Sequence, residues 1–534
     1  MGQYLNPGNA GFSSAVHSQI YVDKTGLLEY LNMVFDTEQR YVCVSRPRRF
    51  GKSIAARMVA AYYGKECNSE ELFSVYKIAE KVDAEKYGEY KKHLNKYNVI
   101  HLDITDMWVT RPKEQDFVQY VQTSVIDELR VVYSECVEDE AFSLPQVLSR
   151  IEEKTGERFI VIIDEWDHLF RENKNDTKMQ SDYMDLLRGL FKGERAQRFI
   201  HLAYITGILP IKRYSNESAL NNFDEFTMLH PEPLTEFVGF TEDEVKNLCK
   251  KYTMDFSEMQ KWYDGYVLEK GKHIYNPKSL TDAIRRRRIA NYWTNTAAYE
   301  SLADYISMDF DGLKTAMIQL LAGEPYCINI RRFENDMTSF KSRDDVLTLL
   351  VHLGYLSYNF ETKEVRIPNA EVRTVFEDAL TNTNWEPVIN TLEKSQKLLR
   401  DTWNLDADAV AAGIEDAHME FASILKYNDE NSLRCVLRLG YYNAVNEYMV
   451  MDELPTGKGY TDVVFLPRPG SDKPALVIEL KYDKSAEGAI AQIKKKQYVK
   501  KLDAYKGNIL LVGINYNKDS DDKKHTCIIE WVQK

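Results

Sequence analysis

The run Arg46-Pro47-Arg48-Arg49-Phe50-Gly51-Lys52-Ser53 has the residue types and order to grip a phosphate. A β-rich stretch, Tyr41-Val42-Cys43-Val44, precedes it, and a helical stretch from Ile54 to Ala60 follows. Strand, tight loop closing on Gly-Lys-Ser, then helix presents loop N–H groups and a helix N-terminus to an anion. Lys52 is expected at the β- and γ-phosphates of a nucleotide, and the Ser53 hydroxyl at a Mg²⁺ ion. All eight residues are candidate cofactor-binding residues. Arg46 stands where the usual pattern has its first glycine, which predicts a different turn.

Phe159-Ile160-Val161-Ile162-Ile163-Asp164-Glu165 is an apolar run closed by two carboxylates. Such a run reads as a strand buried on both faces of a parallel sheet, with its acids at the end where open α/β sheets bind ligand. Asp164 would help hold Mg²⁺. Glu165 would orient or deprotonate an attacking water. The bland alternative is a core strand followed by a charged turn.

A third constellation lies near the tail. Gly459 to Leu466 reads as a strand with Asp462 near its start, and Ala475-Leu476-Val477-Ile478-Glu479-Leu480-Lys481 as a second strand. Alternation puts Glu479 and Lys481 on one face, roughly 6–7 Å apart, and Ile478 and Leu480 on the other. Asp462, Glu479 and the Leu480 carbonyl are hard oxygen donors suited to Mg²⁺ or Mn²⁺, the chemistry of phosphodiester hydrolysis. Lys481 would orient the attacking water or balance charge. Glu430 could add a carboxylate, and Gln492 and Tyr498 lie on a lysine-rich helix, 489–502, within reach of a substrate backbone. The competing reading is an edge hairpin with surface ion pairs.

The elements that must position these groups need a long chain. At 534 residues, roughly two to four domains are expected. A hydrophobic fraction of 44% and a charged fraction of 28% are ordinary for a soluble globular protein. No apolar run is long enough for a membrane span, and the N-terminus lacks a secretory pattern. Seven scattered cysteines form no CxxC pair, so a reducing cytoplasm is the expected location. The net charge of −13 argues against coating nucleic acid by bulk charge. Local basic clusters remain, including Arg285-Arg286-Arg287-Arg288, for which a solvated helix face is the plain reading.

Strands are expected at 40–46, 98–104, 159–164 and 199–206, separated by helices such as 116–133 and 143–154. Residues 231–330 read as helical, with capping-box chemistry at Thr241 to Glu244. A helix at 345–353 followed by a hairpin suggests a winged-helix unit, which would bind DNA or close over the nucleotide domain. Residues 372–425 read as helical. The expected domains are 1–230, 231–371 (helical lid and winged-helix-like), 372–425 (connector) and 426–534.

In order along the chain, these motifs resemble a bacterial family that joins an AAA-ATPase-like domain to a C-terminal PD-(D/E)xK nuclease-like domain. The resemblance also rests on Tyr21-Val22-Asp23-Lys24-Thr25, Thr206-Gly207, Asn221-Asn222, Trp262-Tyr263-Asp264-Gly265-Tyr266, Tyr275-Asn276-Pro277, Gly354-Tyr355-Leu356 and Ile367-Pro368-Asn369. It implies an α/β fold: an N-terminal P-loop AAA-like ATPase with helical and winged-helix-like segments, then a restriction-endonuclease-like α/β domain. It implies ATP as the nucleotide, and Thr206 as a γ-phosphate sensor, with a turn cap as the alternative. Arg46 then looks like the family's own loop form. By analogy it suggests mobile-element or phage-defence roles. The expected activity is an ATP-regulated, Mg²⁺-dependent nuclease, its substrate DNA ahead of RNA, with no membrane partner and homo-oligomerisation left open. The alternative is a nucleotide-dependent switch or scaffold whose nuclease-like domain binds without cleaving.

Overall fold

The computed structural model describes residues 2–80, 90–137, 143–211, 213–214, 217–218, 220–293, 298–308, 310–333, 340–381, 386–421, 430–451, 463–468, 471–482, 484–495, 507–517 and 524–532. They form two compact units. The first takes residues 1–295 and 327–372, the second 296–326 and 373–534.

The first unit is built on a five-stranded sheet of β1 (Tyr41–Ser45), β2 (Asn98–Asp103), β3 (Phe159–Asp164), β4 (Ile200–Gly207) and β5 (Asp224–Phe226), in the order β2-β3-β4-β1-β5. Every pairing is parallel. All residues of β1 and β3 are buried, as expected for strands covered on both faces. Because β4 lies between β1 and β3, the loop after β1 and the carboxylates after β3 flank it at the same sheet edge. This is the switch point at which open α/β sheets bind ligand. The register sets Val44 beside Thr206 on one side and Ile163 beside Ile205 on the other.

Local sequence fixes the helix ends. Asp116 caps Phe117–Val132, and capping boxes start Leu144–Thr155 at Ser143 and Glu242–Tyr252 at Thr241. Residues 231–330 are less helical than expected. Phe240–Thr241, Tyr266–Leu268 and Lys272–Tyr275 form a three-stranded antiparallel sheet. These strands are two to four residues long, too short to show a period of two.

The helix Arg343–Leu353 and the hairpin Ser357–Asn359/Glu364–Arg366 supply the helix-then-hairpin order behind the winged-helix expectation. The helix is buried from Asp345 to His352, so its side chains serve packing within this unit rather than a free recognition face. Gly354, at φ 86°, ends it against the phosphate loop. A Cβ there would lie 2.7 Å from the Pro47 Cβ.

The second unit holds the expected helices, Ala370–Thr381 (mostly), Glu386–Trp403 and Ala407–Phe421. Its sheet is β6 (Tyr448–Met451), β7 (Val463–Pro467), β8 (Ala475–Tyr482), β9 (Ile509–Tyr516) and β10 (His525–Val532), in that order. The β8/β9 pair is parallel and the others antiparallel. Leu476 and Ile478 pack with Leu398, Leu399 and Val410 of the helices. Ala475 and Val477 pack on the opposite face with Ile490 and Ile493 of the helix Ala486–Lys495. No helix among the described residues is long and apolar enough to cross a membrane.

Candidate nucleotide and nuclease sites

The loop after β1 turns in its own way. Arg46 does not adopt a glycine conformation. The left-handed residues are Arg49, at φ 71°, and Gly51, at φ 92°, and Gly51 is the N-cap of the helix Lys52–Tyr63. A Cβ on Gly51 would meet nothing within 4 Å, so the glycine answers to backbone conformation rather than crowding. The Arg46 side chain is 0% exposed and runs into the core. Its Nη1 donates to the carbonyls of Ser45 (3.0 Å) and Phe226 (2.9 Å). Burial pushes its guanidinium down to about 10. Arg46 thus staples β5 to β1, and its side chain is not presented to a ligand. Arg48 pairs with Glu172 at 2.9 Å, Arg49 donates to the Tyr292 carbonyl at 2.5 Å, and Phe50 packs edge-on against Tyr266.

Lys52 is 3% exposed, and its Nζ donates to the Pro47 carbonyl at 3.1 Å. The same nitrogen lies 3.7 Å from Glu165. Glu165, at φ 52°, also receives Arg171 at 2.5 Å, while Arg171 reaches Asp167 at 3.1 Å. Burial pushes the Glu165 carboxyl up, but Lys52, Arg171, Arg48 and His168 together hold it below its ordinary range. Asp164 is buried beneath it and accepts from the Thr206 hydroxyl and, at 3.1 Å, from the Glu165 N–H.

Arg49, Phe50, Gly51, Lys52, Ser53 and Glu165 line a cavity of about 790 Å³. That volume suits a nucleotide-sized ligand. Its cations are Lys24, Arg49, Lys52, Arg57, Lys278 and Arg285, against one carboxylate, Glu165. Lys24 is paired with Glu244 and Lys278 with Asp282, so Arg49, Arg57 and Arg285 beside Lys52 are the local cationic excess, in a chain of net charge −13, that suits an anion. The apolar wall includes Ile20, Tyr21 and Val22.

Two contributors escaped the sequence reading. Arg285 lines the cavity although its four-arginine run reads as a solvated face. The run divides, because Arg286 sits over the Tyr292 ring at 5.7 Å. Asp103 is paired in register with Asp164 at the ends of β2 and β3. Burial raises its carboxyl, with Asp164 and Glu165 adding to the rise, although the Asp106 N–H it caps opposes it. A carboxylate closing a strand was the available signal there.

In the second unit Glu479 is 1% exposed. Its Oε1 accepts from Lys481 at 2.9 Å and from the Gln492 amide. The structure therefore joins three of the tail candidates on the face of β8 covered by Ala486–Lys495. Leu480 packs on the opposite face. Glu430 begins the helix Glu430–Gly440, and its side chain lies outside the described residues. Asp462 and Tyr498 also lie outside them, although Val463 pairs with Ile478. The described donors, the Glu479 carboxylate and the Leu480 carbonyl, are the hard oxygens a Mg²⁺ ion takes.

A family model described as a predicted AAA-ATPase matches residues 13–215, and one described as the PD-(D/E)XK nuclease superfamily matches residues 428–526. An uncharacterised protein from the vnfD 5′ region of Azotobacter chroococcum mcd 1 is 22% identical over 524 residues, covering 94% of this chain and 93% of its own. Among solved structures, Cdc6p from Pyrobaculum aerophilum aligns over 70% of this chain and 97% of its own, at 11% identity and a TM-score of 0.26. ORC2 from Aeropyrum pernix, solved in ADPNP-ADP complexes, aligns over 68% and 96%, at 9% identity and a TM-score of 0.30. The phosphate loop and most of the parallel sheet lie within the AAA-ATPase match and most of the mixed tail sheet within the nuclease match, so residues 13–215 carry an AAA-ATPase-like domain and residues 428–526 a PD-(D/E)XK nuclease-like domain.

Proposed function

We propose that the chain binds and hydrolyses ATP and thereby regulates a Mg²⁺-dependent nuclease in its C-terminal domain, with DNA ahead of RNA as substrate. The observation that carries this reading is the cationic cavity in which Lys52, Ser53 and Glu165 meet at the end of β1 and β3. Lys52 would exchange the Pro47 carbonyl for phosphate oxygens. Ser53 and Asp164 would hold a divalent ion, which would neutralise triphosphate charge. Glu165, kept ionised by Lys52 and Arg171, would take the proton of the attacking water. Thr206, bonded to Asp164, would report on the γ-phosphate through that carboxylate. Ile20 to Val22 give a base an apolar wall, and Arg285 adds a cation.

At the tail, Glu479 and the Leu480 carbonyl, with Asp462 as the further candidate, would hold Mg²⁺, which would supply an activated water and offset charge on the phosphate. Gln492 orients Glu479 through its amide, and Lys481 would balance charge on the scissile phosphate. The test is cleavage of single- and double-stranded DNA and of RNA with Mg²⁺ or Mn²⁺, with and without ATP. Glu479→Ala is expected to abolish cutting and leave ATP hydrolysis intact. Lys52→Ala is expected to abolish nucleotide binding. Cutting that survives Glu479→Ala removes the assigned site, and nucleotide binding by wild type without cutting on any substrate leaves a switch or scaffold.

A further inference from the structure

The first unit contains a second cavity, of about 860 Å³, which shares no lining residue with the phosphate-loop cavity. One wall comes from the segment after β4, from Glu225 of β5 and from the segment after β5, including His230. The opposite wall comes from Arg331, Phe333, His352 and the hairpin residues Tyr358, Phe360 and Lys363.

Three observations give it a chemical character. The first is aromatic. Phe333 lies stacked on the His352 ring (5.6 Å, 21°), and Phe360 meets Tyr358 edge-on (5.1 Å, 85°) and His230 at 6.4 Å. The second is an unmet polar group. His352 is buried, and its Nδ1 has no hydrogen-bond partner among the described residues. Burial, with His230 nearby, pushes it down to about 3, so the ring is neutral, with one donor and one acceptor nitrogen. An unpaired nitrogen at that depth is costly. The third is the rim. Arg331 and Lys363 are exposed cations of the lining, and the one carboxylate among the described lining residues, Glu225, accepts the Ile211 N–H at 3.0 Å.

Aromatic faces, a buried neutral imidazole and a cationic mouth fit a flat heteroaromatic ring that carries hydrogen-bonding edges and a negative tail. We propose that this cavity is a second nucleotide site, separate from the phosphate loop, that takes a phosphorylated nucleobase. Its base would lie among Phe333, Tyr358 and Phe360 with an edge on His352, and its phosphate would meet Arg331 and Lys363. A free nucleotide and the phosphorylated end of a single strand share this chemistry.

The experiment uses the full chain carrying Lys52→Ala, so that binding at the phosphate loop is silenced. Isothermal titration with AMP, GMP, CMP and UMP, with the dinucleotide pApA, and with a 5′-phosphorylated oligo-dT separates free nucleotides from strand ends. Saturable binding of at least one probe is expected. Arg331→Ala and Phe360→Ala, both at accessible positions, are each expected to weaken it at least tenfold. His352→Phe, which keeps a ring but removes both nitrogens, is expected to change the preference among bases. Absence of binding by the Lys52→Ala chain to every probe at millimolar concentration overturns the proposal. Binding that neither Arg331→Ala nor Phe360→Ala weakens overturns it equally.

Discussion

Arg46 shows how a residue read as a departure from a motif becomes a structural part. The sequence places it at the glycine position of a phosphate loop, where its charge suggests a ligand contact. Folding instead buries the guanidinium against the Ser45 and Phe226 carbonyls, and the turn is made at Arg49 and Gly51. Removing the side chain leaves the Phe226 carbonyl without this donor and opens space beside β5. Arg46→Ala is therefore expected to destabilise the first unit by about 2–4 kcal/mol. Arg46→Gly, which restores the usual pattern, is expected to be no better. Thermal unfolding followed beside ATP titration checks both, and a wild-type midpoint in Arg46→Gly would refute the staple. The placement of Lys52, Ser53, Asp164, Glu165 and Thr206 at or just after the ends of β1, β3 and β4 was legible from the apolar runs that precede them. Arg285 was not, because its place in the cavity depends on how a distant helix packs.

At the scale of elements, four of the five parallel strands and the capped helices of the first 230 residues were readable from apolar runs and caps, whereas β5 and the short strands between 240 and 275 were not. The motifs there meet the phosphate loop physically. Tyr266 packs on Phe50 and donates to the Gly354 carbonyl at 2.6 Å, and Gly354 lies on Pro47. Arg49 of the loop holds the Tyr292 carbonyl, while the Tyr292 N–H donates to Glu371 at 2.7 Å and Asn291 donates to the Glu371 carbonyl at 3.2 Å. These residues sit close to two of the chain's crossings between units, after Asn295 and after Val372. Burial pushes Glu371 up to about 7, against the lowering effects of Tyr292 and Arg49. A raised carboxyl costs nothing while it is protonated in both states, below its ordinary value of 4.5. The cost grows as pH rises and is complete above about 7, amounting to about 3 kcal/mol. Glu371→Gln is expected to remove this fall in stability between about pH 5 and about pH 8. Melting curves across that range measure it, and parallel wild-type and variant profiles would count against a buried, proton-holding Glu371.

For the whole molecule, the proposed ATP control of the tail nuclease raises the question of which event at the loop would reach the tail. Three crossings of the chain join the two units, so a change in the first has covalent routes to the second. On the proposed reading, the loop would be the trigger. Lys52 now bonds the Pro47 carbonyl, and Pro47 carries Gly354, while Arg49 on the same loop carries Tyr292 and through it Glu371. Phosphate arriving at Lys52 would alter all of these contacts before any bond is broken, so occupancy rather than hydrolysis is the expected signal. Glu165→Gln separates the two, because it removes the proton acceptor while keeping the side chain's size. It is expected to slow ATP hydrolysis at least a hundredfold and to keep ATP-dependent cutting, whereas Lys52→Ala loses both. Arg49→Ala should bind and hydrolyse ATP yet cut at the same rate with or without it. Single-turnover cleavage beside phosphate release on the three variants decides the matter. Loss of ATP-dependent cutting in Glu165→Gln would place the signal after hydrolysis, and full ATP control in Arg49→Ala would break the route through Tyr292 and Glu371.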